Sequence, residues 1–300
     1  MKFRFPVPDR GDVFLLLTVI IWGNTFPTAK YVLDVLPPTV YASTRYLLAA
    51  ITLMLALAWR QGLKPPRRQD ILPLFALGLL GITLMQLLWA NALSLTTASK
   101  GAILVAVSPI WAMLIGSLRG QRLKWQAWIG VMLSFAGVFL VINNSITAIT
   151  FGGGSLTGDL LFLVVAFCWA CYSVFSPPYL ARLGALYVSA WSMLFGALTL
   201  APVMIFQLDD VHWEAMRPSH WAAFLFTAIM AGALGYLSWY GGIARLGVAR
   251  SVVYSYLIPV FALLSAVAFL GEHVSAVQSL GAAIVIGGLI LTRLNVAKSA

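Results

Sequence analysis

Ten stretches of about twenty mostly apolar residues, separated by short polar connections, run the length of this 300-residue chain. They cover roughly residues 12–30, 39–59, 71–91, 99–118, 123–142, 157–178, 186–206, 219–242, 248–270 and 275–293. Each is about long enough to cross the hydrocarbon core of a bilayer as a helix. Between them stand Pro, Gly and charge: "LPPT", "RQGLKPPRRQD", "RGQRLK", "QLDDVHWEAMRPSH", "GEHVS". The pattern predicts an all-α membrane protein of ten transmembrane helices. It leaves no room for a large soluble domain, so any function must sit among the helices.

The pattern also repeats. Residues 11–22, "GDVFLLLTVIIW", return as 158–169, "GDLLFLVVAFCW". Trp89 lies 150 residues before Trp239, and "ASKGAILVAVSPIWAML" (98–114) aligns at the same offset with "VARSVVYSYLIPVFALL" (248–264), which places Pro109 over Pro259. One residue later in register, "GQRLKWQAWIG" (120–130) meets "GEHVSAVQSLG" (271–281), and Gly137 falls on Gly288. The chain therefore reads as two five-helix halves, residues 1–145 and 157–300, joined by a Gly-rich linker at 146–156. The match at residues 11–22 also argues that the basic, apolar N-terminus is a retained first helix rather than a signal peptide.

Five helices is an odd number, so the second half must begin on the opposite side of the membrane, and loop charge tests this. With a cytoplasmic N-terminus, fifteen of the nineteen Lys and Arg fall inside. Lys30, Lys100 and Arg217 fall outside, and Arg45 lies within the second span. "RGQRLK" is basic, whereas its counterpart "GEHVS" has no Lys or Arg. The halves are expected to be inverted, with both termini cytoplasmic in a bacterial inner membrane. Inverted repeats enclosing a midplane site are an architecture of secondary transporters.

Composition agrees. The chain is 61% hydrophobic and 9% charged, with a mean hydropathy of +0.93, against roughly 25% charged residues in soluble domains. The net charge of +10 is spread over loops, so no nucleic-acid partner is expected. Cys168 and Cys171 read as small apolar helix residues.

A ten-helix chain with "IIWGNTFP" in its first helix, "WACYSVFSPP" in its sixth and "GEHVSAVQSLGAAIVIGGLIL" after a Pro-containing ninth resembles the drug/metabolite transporter superfamily, and within it the EamA-type branch. The similarity covers essentially the whole chain. It departs in carrying Gln121 where the second half has Glu272. Among members it looks most like bacterial exporters of aromatic amino acids, and that resemblance, not any spacing, implies the substrate.

Ionisable groups within a membrane are candidate functional groups. All nine acids and three histidines fall in loops or at helix ends. Asp12 and Asp159 each follow a Gly at the start of a span and are expected to cap their helices. There is no HExxH and no deep carboxylate cluster, so no metal, cofactor or enzyme chemistry is expected. Arg45, about six residues into its span, either snorkels outward or binds a substrate carboxylate.

Aromatic residues form the other signal. Tyr236, Trp239 and Tyr240 share a helix face by i, i+3, i+4 spacing, and Gln86 and Trp89 are repeat mates of the first two. Trp22 with Asn24, and Trp169 with Tyr172, occupy the first and sixth helices. Ser108 precedes Pro109, while Tyr254, Ser255 and Tyr256 precede Pro259. These residues are expected to line a central cavity for a small-molecule substrate, with Pro109 and Pro259 as mid-helix hinges. Trp59, Trp125, Trp128, Trp213 and Trp221 read as interfacial anchors. Gly130, Gly137, Gly281 and Gly288 permit close helix contact, either within the chain or at a homodimer seam.

Overall fold

The computed structural model describes residues 9–96, 101, 104–121, 124–143, 155–262, 264 and 275–295. Lys100, Arg122, Glu272, His273 and most of the Gly-rich linker lie outside them, so the charge contrast between the two aligned loops is not described.

The described residues are helical almost throughout. The first half holds α1 (Arg10–Gly23), α2 (Thr25–Leu33), α3 (Pro38–Gln61) and α4 (Arg68–Gly78). A π-helical segment, Leu79–Leu84, leads into α5 (Met85–Leu95), followed by α6 (Ser108–Leu118) and α7 (Trp125–Asn143). The second half holds α8 (Leu156–Phe175), α9 (Pro177–Leu183) and α10 (Ala185–Leu200), the last continued by a 3-10 segment to Gln207. α11 (Pro218–Leu225) passes through a π-helical segment, Phe226–Leu234, into α12 (Gly235–Leu246). Then come α13 (Val248–Val252), a 3-10 segment (Val253–Leu257) and α14 (Ala276–Asn295).

Six of these helices are long and apolar enough to cross a membrane: Arg10–Leu33, Pro38–Gln61, Arg68–Leu95, Leu156–Phe175, Ala185–Gln207 and Pro218–Leu246. Four shorter apolar helices, Ser108–Leu118, Trp125–Val141, Val248–Ala262 and Ala276–Thr292, stand where the other four spans were expected. Outward-facing Leu55, Leu72, Leu198 and Phe206 present side chains suited to lipid rather than water.

Local chemistry sets the helix ends. At α1, Asp9 accepts from the Gly11 amide at 3.2 Å, and Asp12 accepts from the Asp9 amide at 2.7 Å. This reciprocal box satisfies donors that a helix leaves orphaned. At α8 the cap is Ser155, whose hydroxyl accepts from the Gly158 amide at 3.1 Å. The expected cap role of Asp159 is thereby corrected: Asp159 accepts instead from the Thr96 hydroxyl at 3.1 Å, joining α8 to the end of α5. Ser155 and Leu156, assigned to the linker from sequence, belong to the helix start. Gly184 and Gly247, at φ of 80° and 75°, make the sharp left-handed turns between α9 and α10 and between α12 and α13.

Packing pairs the halves crosswise. α1 lies on α12, and α8, its counterpart by alignment, lies on α5. α3 packs on α10, and α7 on α14. The α7–α14 seam is glycine-dependent: a Cβ on Gly288 would stand 2.5 Å from the Gly130 carbonyl oxygen, and one on Gly137 would stand 2.7 Å from that of Gly281. These four glycines are thus spent on contact within the chain. Cys168 and Cys171 are buried free thiols.

Candidate functional site

The crosswise packing leaves a cavity between the halves. Eight of the residues expected to line it do so: Trp22, Arg45, Gln86, Trp89, Ser108, Trp169, Tyr236 and Ser255. Thr25, Phe26, Tyr46, Met85, Val105 and Ile258 complete the wall.

Arg45 is its one cationic residue among the described residues. It comes from α3 and is only 3% exposed, so the snorkelling alternative is corrected. Its Nε donates to the Thr227 carbonyl, in the second π-helical segment, at 2.9 Å. Its guanidinium carbon lies 4.9 Å from the Tyr46 ring centroid and 5.6 Å from those of Tyr41 and Trp89. Ring faces attract a cation most strongly once water is removed. No carboxylate lines the cavity among the described residues.

The polar floor is a hydrogen-bond relay. Gln86 Nε2 donates to the Tyr236 hydroxyl at 2.5 Å, and Tyr46 donates to the same oxygen at 3.4 Å. Tyr236 donates onward to the Gly81 carbonyl, in the first π-helical segment, at 3.4 Å. Gln86 and Tyr236 are mates in the sequence alignment, and the fold brings them into direct contact. Trp22 and Trp169 behave likewise, their rings edge-to-face at 5.2 Å, while Trp22 Nε1 donates to the Ala231 carbonyl at 3.0 Å. Both π-helical segments thus offer carbonyls to site side chains, a use common for such irregularities.

The remaining expected site residues stand elsewhere. Trp239, Tyr240 and Tyr172 are buried behind the cavity wall, and Tyr256 is buried outside its lining. Trp239 lies 5.2 Å from Trp169, and Tyr172 stacks on Tyr240 at 4.9 Å. Asn24 turns back onto its own helix, donating to the Ile20 carbonyl at 3.0 Å, and forms the break between α1 and α2. Pro109 sits in the first turn of α6 after a turn at 106–107, and Pro259 follows the 3-10 segment. Pro109 therefore restarts a helix after an interruption, because a first turn needs no proline N–H, while Pro259 lies within the continuous apolar helix Val248–Ala262, just past its 3-10 stretch.

Lys30 is spent elsewhere: its Nζ donates to the Leu93 carbonyl at 2.8 Å and the Thr96 carbonyl at 3.3 Å, closing the end of α5. Among the described residues no group of His, Cys, Asp or Glu could hold a metal.

Comparison with known proteins places this architecture. Residues 9–143 and 156–294 each match the EamA-like transporter family. An "Uncharacterized transporter" of Archaeoglobus fulgidus is 31% identical over 95% of this chain and 97% of its own length. A "Probable terminal-alkyne amino-acid exporter" of Streptantibioticus cattleyicolor is 29% identical over 92% of this chain and 91% of its own. A "Probable amino-acid metabolite efflux pump" of Salmonella typhimurium is 26% identical over 94% and 95%. One solved crystal structure superposes with a TM-score of 0.78 at 21% identity, over 95% of this chain and 97% of that one, a likeness of fold alone. The chain belongs to the EamA-like transporter family and is a multi-pass membrane transporter.

Proposed function

We propose that this transporter exports a small amino-acid-type metabolite, one carrying an aromatic or other apolar body and a carboxylate, by alternating access. The observation that carries the reading is Arg45: a guanidinium buried in the wall of an aromatic cavity, with no carboxylate in that wall among the described residues. A substrate carboxylate would form charge-assisted bonds there, while Trp22, Phe26, Trp89 and Trp169 would enclose the apolar body. The names of the Streptantibioticus and Salmonella relatives, both concerned with amino acids or their metabolites, favour the same cargo class. A phosphate-bearing cargo would call for several cations, and one lines the site among the described residues.

Alternating access rests on the two halves, residues 1–145 and 157–300, being inverted copies in a bacterial inner membrane. The two family matches, one per half, and the crosswise packing support the duplication. The loop charges support the inversion, with both termini cytoplasmic.

The test is counterflow in proteoliposomes. Phe, Trp and Met should move with saturable kinetics, and Trp22→Ala, Trp89→Ala and Trp239→Ala should each impair uptake. Tight binding with no flux of any cargo would overturn the transport mechanism. Unchanged uptake in all three variants would overturn the site.

A further inference from the structure

The charge balance of the cavity defines the cargo more narrowly, on the reading that this cavity is the transport site. We propose that the site selects carboxylate monoanions with a planar or apolar body, whose amino group is absent or acylated, over free zwitterionic amino acids.

Among the described residues the wall carries one formal charge, on Arg45, and its other polar side chains, among them Thr25, Tyr46, Gln86, Ser108, Tyr236 and Ser255, are neutral. Several of these already commit their donors. Thr25 donates to the Ile21 carbonyl at 3.2 Å, Ser255 to the Val252 carbonyl at 2.6 Å, and Gln86 and Tyr46 to Tyr236. The guanidinium itself is fixed, through Nε on the Thr227 carbonyl and by the three rings around it.

A buried charge is costly until an opposite charge meets it. A monoanion docked on Arg45 brings the site to neutrality. A zwitterion does not, because its ammonium hangs from the carbon next to its carboxylate. Docking the carboxylate on Arg45 therefore draws a second positive charge toward the guanidinium, where water screens the repulsion poorly. An ammonium at such a depth would want a carboxylate, and the described wall offers hydroxyls and one amide oxygen. Acylating or removing the amine eliminates both the repulsion and the cost of desolvating the ammonium.

The experiment is a thermal-shift titration of the full-length protein in detergent against four ligands with the same ring: 3-phenylpropanoate, N-acetylphenylalanine, phenylalanine and phenethylamine. The two monoanions should half-saturate the shift at concentrations about tenfold or more below phenylalanine, and phenethylamine should give none. Arg45→Gln should erase the ranking, while Arg45→Lys should keep it with weaker affinity. Size-exclusion profiles matching wild type would show that both variants are folded. Phenylalanine equalling or exceeding the two monoanions would overturn this inference and leave the transport reading intact. Flux of all four cargoes absent in liposomes would overturn that reading, and this one with it.

Discussion

Two groups of aromatic residues meet around the ring pair Trp22 and Trp169, and they are built differently. On one side Phe26, Tyr46, Trp89 and Tyr236 leave open space, the Tyr46 and Tyr236 hydroxyls are hydrogen-bonded, and the Arg45 guanidinium lies near the Tyr46 and Trp89 rings. On the other, Tyr172, Trp239 and Tyr240 are fully packed, with Tyr172 stacked on Tyr240 at 4.9 Å.

Substitutions sharpen this contrast in decreasing order of effect. Trp239→Ala, at a fully buried ring, should cost about 3–5 kcal/mol of stability and lower the melting temperature clearly more than Trp89→Ala at the cavity wall; equal losses would dissolve the distinction. Arg45→Leu should weaken binding of a carboxylate ligand by roughly a hundredfold, the order of a charge-assisted pair, with little change in melting temperature. Gln86→Leu leaves the Tyr236 hydroxyl without its closest donor and should reduce affinity by about fivefold, the order of one hydrogen bond. Tyr240→Phe keeps the ring stacked on Tyr172 and should change stability by no more than about 1 kcal/mol, the order of one hydrogen bond. Asn24→Ala should leave ligand affinity unchanged, because its amide serves its own helix.

Much of the cavity was legible in the chain because duplication writes each wall twice. Trp22 with Trp169 and Gln86 with Tyr236 stand out as mates and meet in space. Val105 and Ile258 are the mates of Ser255 and Ser108, so the same alignment held the signal for both, which their apolar character hid. Thr25 and Phe26 lie one turn beyond Trp22, and Tyr46 adjoins Arg45, but in an apolar run such neighbours carry no contrast. The depth of Arg45 was not legible. Counting from the loop ignores that α3 begins beneath α10 and the second π-helical segment, which bury that turn. The π-helical segments left no trace either, since one extra residue per turn changes no composition. The role of Asp159 was misread because Ser155, four residues earlier, took the cap.

Three of the eleven tryptophans, Trp22, Trp89 and Trp169, stand in the cavity wall, and that placement makes the protein its own optical probe. A cargo that seats among these indoles alters their surroundings, so intrinsic fluorescence should follow filling and emptying without any attached dye.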